Sequence, residues 1–199
     1  MIQISLNVFL KVEVSAEKIA FFRKKSREKI ERERWTGRNA DLKALNFQKA
    51  WTSEFAWKNL LDERQLLYEW ADTYVGTVTE APLDFRMWFN GKEKTIGIRS
   101  RDISELRRWK QVPYPDDRVR TMEYDRIEDY TIVAGIHFRE TGEAMVKLFG
   151  AIPKQEFIQV LNKTNRKPSP DQQEYFRPVD LRHFNYSLML RLLESADKA

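Results

Sequence analysis

Hydrophobic and polar positions change period several times along the chain, and each change marks an element. Apolar residues recur loosely at every second position over 2–14 (Ile4, Leu6, Val8, then Leu10, Val12, Val14), the period of a strand. Ser15, a favoured N-cap, then opens a helical stretch from Ala16 to about Trp35, which TGRN ends with Gly37 as the expected C-terminal residue. A second helix is predicted from about Asp41 to Arg64, with an acid at the end where the helix dipole favours one. A strand follows around 67–75. DISELRRW reads as a short helix with Asp102 as its cap, and KQVPYPDDRVR as a loop. DYTIVAGIHF and GEAMVKLFGAI read as two strands around a turn at RETG, and Pro153 opens the helix PKQEFIQVLN. NRKPSPDQQ reads as a polar loop, EYFRPVD as an edge strand, and the C-terminal stretch has helical spacing at Leu181, Phe184, Leu188 and Leu192. Helices, a meander of strands, then helices again predict an α+β domain on one central sheet.

The clearest local signal is LDFRMWFNGKEKTIGIRS, residues 83–100. Asn90-Gly91 specifies a two-residue hairpin turn. Around it Phe89 pairs with Lys92, Arg86 with Thr95, and Asp84 with Gly97. Side chains alternate between faces, so Phe85, Met87, Ile96 and Ile98 share an apolar face. Asp84, Arg86, Gly97 and Arg99 share the other, with Asp84 opposite Gly97 and Arg99 on the diagonal. On the hairpin alone the ordinary reading comes first: an Asp at the start of a strand is usually a turn residue, and an Arg across from it makes a surface ion pair. Upstream, Glu54 falls inside the apolar arc drawn by Phe47, Ala50, Trp51 and Leu61 at about 100° per residue. A carboxylate there needs a cation, a metal ion or hydrogen bonds, and Lys58 four residues on is the ordinary partner.

Composition narrows the chemistry. The 199 residues suffice for one domain with a sizeable core, and 42% hydrophobic and 13% aromatic residues predict a folded chain. There is no cysteine, which excludes disulfides and thiolate chemistry, and the two histidines, His137 and His183, are too sparse for a typical histidine metal site. There is no phosphate-binding glycine loop and no nucleophile elbow, so any chemistry rests on carboxylates and cations. No apolar run is long enough to span a membrane and the start does not resemble a signal peptide, so a cytoplasmic protein is expected. The net charge of +5 leans toward an anionic partner. Nine Lys/Arg against three Glu fall between Lys18 and Arg38, so Arg23, Lys24, Arg27 and Arg34 could track a phosphate backbone, as could Arg101; a solvated helix face is the alternative. The six tryptophans are spread along the chain and read as core residues rather than a stacking platform.

Taken in order, these segments resemble the PD-(D/E)XK nuclease superfamily, the restriction-endonuclease-like fold, over roughly residues 41–195. SEFAWKNLLDERQLLYEW resembles its opening helix with a glutamate, followed by a strand. APLDFRMWF resembles the strand that begins with a metal-binding aspartate. TIGIRSRD stands where the family has hydrophobic-Glu-X-Lys-Ser, with Gly97 at the Glu position and Arg99 at the Lys position. DYTIVAGIHF and VKLFGAIPKQEF resemble the later strands and a helix entry, and FRPVDLRHF has a similar shape to the C-terminal part. The resemblance implies a restriction-endonuclease-like mixed sheet flanked by helices at 41–199, preceded by a strand and an extra basic helix at 1–40. It implies Mg²⁺-dependent phosphodiester hydrolysis, with Glu54 and Asp84 as metal ligands and Arg99 as the catalytic cation. The implied partner is nucleic acid, with DNA favoured, and dimers are common in the superfamily. Gly97 departs from the pattern by removing a carboxylate, and Arg99 keeps the charge but cannot serve as a base. Glu93 lies four residues away on the same strand face and Asp102 is unplaced as a substitute. Three readings stay open: a nuclease with an altered active site, an inactive relative that binds DNA or protein, and an unrelated basic RNA-binding or assembly module.

Overall fold

The computed structural model describes residues 8–34, 38–70, 84–121, 124, 127–168 and 175–199. Its centre is a mixed six-stranded sheet: β1 (Leu10–Val14), β2 (Tyr68–Trp70), β3 (Phe85–Phe89), β4 (Lys92–Asp102), β6 (Tyr130–Phe138) and β7 (Ala144–Pro153), ordered β1-β7-β6-β4-β3-β2. Every pairing is antiparallel except β4 with β6. A second, three-stranded sheet has the order β5-β9-β8, from β5 (Gln111–Pro115), β8 (Lys167–Pro168) and β9 (Tyr175–Asp180). The helices are α1 (Ala16–Arg32), α2 (Arg38–Glu63), α3 (Ile103–Trp109), α4 (Asp116–Arg120), α5 (Lys154–Lys163) and α6 (Tyr186–Ser195). The protein is therefore α+β, with a mixed sheet flanked by helices. Among the described residues no helix is long and apolar enough to cross a membrane.

The large sheet has a core on each face. On one, Ile96, Ile98, Ile132, Ala134 and Val146 pack with Trp57 and Leu61 of α2, Ile19 of α1, and Met189 and Leu192 of α6. On the other, Val133, Phe149 and Ile152 pack with Leu106 of α3, Phe157 and Leu161 of α5, and Tyr114 and Val179 of the small sheet. α2 lies between α1 and the sheet, so even its polar positions are covered. Thr52 and Ser53 are buried and donate back to carbonyls of Gln48 and of Lys49 and Ala50.

Several predicted elements shift. Ser15 does cap α1, accepting from Lys18 N at 3.3 Å. The helix ends at Arg32, and the left-handed residue beyond it is Arg34 (φ 58°); Gly37 lies outside the described residues. α2 starts three residues earlier than expected, so Asp41 sits within its first turn. The strand predicted over 67–75 is described at 68–70, and residues 71–83 lie outside the described set, as do 1–7 of the first predicted strand. Residues 110–120 are not a loop. Pro113 and Pro115 suggest breakage, but β5 is an edge strand and proline is tolerated where no partner needs its N–H. β9 is the middle strand of the small sheet rather than an edge, because β5 covers one side and β8 the other. Leu181 and Phe184 belong to a 3₁₀ turn at Leu181–His183 and its exit, and α6 begins only at Tyr186. The N-terminal segment supplies an edge of the large sheet, since β1 pairs with β7 along its whole length.

The hairpin has the expected register, from Phe85↔Ile96 to Phe89↔Lys92, turned by Asn90 (φ 52°) and Gly91 (φ 72°). Asp197 holds that turn by accepting from Asn90 N and Gly91 N, both at 2.8 Å. The pairing of β6 with β7 skips a residue at Phe149, and Gly150 beside the skip lies against the chain entering α6. A Cβ there would stand 2.8 Å from the backbone carbon and 3.0 Å from the nitrogen of Asn185. Backbone cannot swing aside, so Gly150→Ala is expected to cost about 1–3 kcal/mol, as overpacked sites do. A denaturant melt would read this as a lower midpoint with an unchanged slope.

Candidate functional site

Asp84, Gly97 and Arg99 meet at the mouth of the β3–β4 hairpin. Asp84 stands one residue ahead of β3, and its Oδ2 accepts from Ile98 N at 2.6 Å, which fixes the carboxylate alongside β4. Glu54 comes from α2 and is 5% exposed. Its Oε2 accepts from Trp70 Nε1 at 3.2 Å, so β2 helps to hold it. Lys58, the ordinary helical partner considered for Glu54, turns instead to Asp62 at 2.5 Å.

A fourth residue completes the group. Glu128, two residues ahead of β6, is 5% exposed, and its carboxylate occupies the space beside Gly97. A Cβ on residue 97 would stand 2.6 Å from Glu128 Oε2 and 2.7 Å from Oε1. The absent side chain of residue 97 and the present side chain of Glu128 therefore claim one volume. Adjacent Asp129 sets this placement. Its carboxylate accepts from Thr95 N (2.9 Å), Thr95 Oγ1 (3.2 Å) and Lys94 Nζ (3.3 Å), while its own N–H donates to Thr95 Oγ1 at 2.8 Å. Burial works against the Asp129 charge, but these bonds outweigh it and hold the carboxyl below its usual pKa.

Arg99 lies among the carboxylates. Its Nη2 is 3.8 Å from Glu128 Oε2, and its guanidinium carbon is 5.2 Å from the centre of the Tyr114 ring. Burial lowers its pKa, yet the charges of Glu128, Asp84, Tyr114 and Glu54 raise it by more, so the net shift is above the ordinary guanidinium value. The contact with Glu128 is an ion pair rather than a short hydrogen bond. Among the described residues nothing donates to the buried Glu128 Oε2, and Arg99 Nε has no acceptor. A buried carboxylate oxygen without a donor is a site where an incoming cation or proton donor would gain the most.

No family model, curated protein or solved structure matches the chain.

The two acids weighed as substitutes for the carboxylate missing at residue 97 lie elsewhere. Glu93 is about half exposed and pairs with Arg86 at 3.6 Å. Asp102 stands at the N-cap position of α3, but its side chain makes no capping bond and instead binds the buried Lys49 of α2. Of the proposed phosphate contacts, Arg23, Lys24, Arg27 and Arg34 are exposed on or just beyond α1, with Lys24 near Glu28 at 3.8 Å. Arg101 is engaged internally, donating to Glu105 Oε2 at 2.8 Å and to Gln111 O at 3.1 Å. Sequence reasoning missed Glu128 and Tyr114. Tyr114 lay in a segment read as a loop, and the only hint of Glu128 was a pair of acids immediately before a buried strand.

The donors suit a hard divalent cation, which takes oxygen ligands and commonly needs only one or two carboxylates besides water. Asp84 and Glu128 both border the Gly97–Ile98 step of β4, and the unserved Glu128 Oε2 gives that fit a specific atom. Among the described residues, no three acidic or histidine side chains are grouped closely enough to hold a metal ion as they stand.

Proposed function

We propose that the protein is a restriction-endonuclease-like enzyme that hydrolyses phosphodiester bonds in nucleic acid, with Glu128 serving in place of the carboxylate absent at residue 97. The observation that carries this reading is the coincidence of the Glu128 carboxylate with the space beside Gly97, 3.8 Å from Arg99, on which the charges of Asp84 and Glu54 also act. A buried acid in that volume is costly unless its charge is offset, and with no donor on Oε2 a bound cation would offset it further than Arg99 alone does. The order of elements also supports it: a helix carrying a glutamate, a three-stranded meander, then a crossover to a parallel strand.

In this reading Asp84 and Glu128 would hold Mg²⁺, with Glu54 as the further carboxylate that the resemblance implies. Such an ion polarises the scissile phosphate and lowers the pKa of a bound water. Arg99 is permanently charged and forked, so it binds phosphate oxygens and steadies the charge that develops on them without exchanging a proton. Arg99 lies over the Tyr114 ring, and the backbone N–H of Ile98 holds Asp84 in place.

The test is cutting of plasmid and single-stranded DNA with Mg²⁺ and with Mn²⁺. The natural protein is expected to cut, and Asp84→Ala and Glu128→Ala each to lose at least about 10²-fold, in line with the several kcal/mol that metal-borne charge stabilisation supplies. Metal-dependent cutting that survives Glu128→Ala would remove Glu128 from the site.

A second reading is favoured by the ion pair itself. Arg99 already neutralises Glu128, and a nuclease-fold protein that only binds nucleic acid could keep that pair as structure. It predicts no cutting by the natural protein and salt-dependent binding that persists in Asp84→Ala.

A further inference from the structure

The end of α3 carries an exposed run, Arg107-Arg108-Trp109-Lys110, that neither core uses. Trp109 is 53% exposed, an unusual position for the largest apolar side chain. It departs from the expectation that the tryptophans are core residues. The Arg108 guanidinium carbon lies 4.9 Å from the centre of its ring. Lys110, left-handed at φ 50°, stops the helix by donating its N–H to Leu106 O at 2.8 Å, so the run sits on a fixed helix end.

Further cations gather around this end. Across the large sheet Lys11, Lys147, Gly135 and Arg101 are successive partners on β1, β7, β6 and β4, and Leu106 of α3 packs over Gly135. The row thus brings Lys11 and Lys147 to one flank of α3 and Arg101 to the other. Lys147 lies over the Phe9 ring at 3.7 Å, and its pKa is lowered first by burial, then by the nearby charges of Arg107 and Lys11. Lys11 has Glu13 at 2.7 Å. Among the described residues no acid stands within ion-pair distance of Arg107, Arg108, Lys110 or Lys147. Lys11 and Arg101 are paired with acids, Arg101 with Glu105 of α3 at 2.8 Å, but Arg107, Arg108, Lys110 and Lys147 are not, and like charges of this kind around an exposed aromatic ring suit a polyanion that also offers flat apolar faces.

We infer that this surface binds single-stranded nucleic acid, with an unpaired base stacked on Trp109 and its flanking phosphates on Arg107, Arg108 and Lys147. A duplex keeps its base faces within the stack, so it can use the cations but not the ring. Arg101 links this surface to the proposed catalytic group. It shares the strand face of Arg99 and holds Gln111 O, at the start of the strand that carries Tyr114. The inference rests on the nucleic-acid reading above and adds that the substrate is single-stranded where it crosses α3.

The test is binding of a fluorescein-labelled oligothymidylate, and of the same length of duplex, in EDTA so that cutting plays no part. The natural protein is expected to prefer the single strand. Trp109→Ala should weaken single-strand binding about tenfold and leave duplex binding unchanged, while Trp109→Phe retains most of the affinity. Arg107→Ala/Arg108→Ala should weaken both and flatten the dependence on salt by about two phosphate contacts. Equal affinity for the natural protein and Trp109→Ala, with unchanged melting of both, would overturn the inference, as would no single-strand binding by the natural protein. Because EDTA removes the chemistry, a protein that binds as expected but never cuts would defeat the nuclease reading and leave this surface standing.

Discussion

Arg99→Ala is expected to lower the unfolding free energy by about 3–5 kcal/mol, the usual cost of leaving a buried charge, here Glu128, without its partner; Arg99 itself is half-buried. For a chain of this size that is a fall of about 6–20 °C in Tm. The size follows from what remains. Glu128 stays buried with no donor to its Oε2, and Asp84 and Glu54 lose a cation whose charge they act on. The charge, rather than the lost packing on Tyr114, should dominate. Adding Glu128→Gln to Arg99→Ala is therefore expected to restore much of the loss, since an amide has no charge to compensate. Arg99→Lys should fall between, keeping the charge but losing the planar contact with the ring. Thermal or urea melts of the four proteins decide this. A loss under about 1 kcal/mol for Arg99→Ala would mean that solvent already screens the group, and the pair would then be an ordinary surface bridge.

How much of this was legible in the sequence depends on the range over which each residue is fixed. The hairpin was readable in full because two residues, Asn90 and Gly91, set its turn, and strand alternation does the rest. Glu54 was readable as buried because helical periodicity put it among apolar positions. Arg99 followed from Asp84 through the register. Glu128 was not readable. It lies 31 positions beyond Gly97 in the numbering, and only the parallel pairing of β4 with β6 brings it back. Parallel partners are joined by long crossovers, and no local rule gives their register. The alternatives offered by sequence proximity, Glu93 and Asp102, were each taken by a nearer cation, Arg86 and Lys49. The small sheet was hidden for a different reason: Pro113, Pro115 and Pro178 look like breakers until β5 and β9 are seen to pair with proline against proline.

The same geometry reverses the effect that the nuclease resemblance would lead one to expect from placing an acid at residue 97. If residue 97 bordered an empty slot, Gly97→Glu would supply the missing carboxylate and raise cutting. With Glu128 in that slot, the new side chain must displace it, bring two carboxylates to one arginine, and overpack a buried site. Gly97→Glu alone is therefore expected to lose about 1–3 kcal/mol of stability and at least about 10²-fold in metal-dependent cutting. Glu128→Ala alone loses cutting for the opposite reason, the missing ligand. In Gly97→Glu/Glu128→Ala the incoming carboxylate finds the vacated space beside Asp84 and Arg99. The double variant should be more stable than the sum of the singles predicts by about 0.5–3 kcal/mol, the range seen for residues in contact, and should cut better than either. Additive losses in stability and rate would mean that residues 97 and 128 do not share one function. Favourable coupling in stability alone, with no cutting by any of the four proteins, would mean that the shared volume is structural and that the fold serves binding.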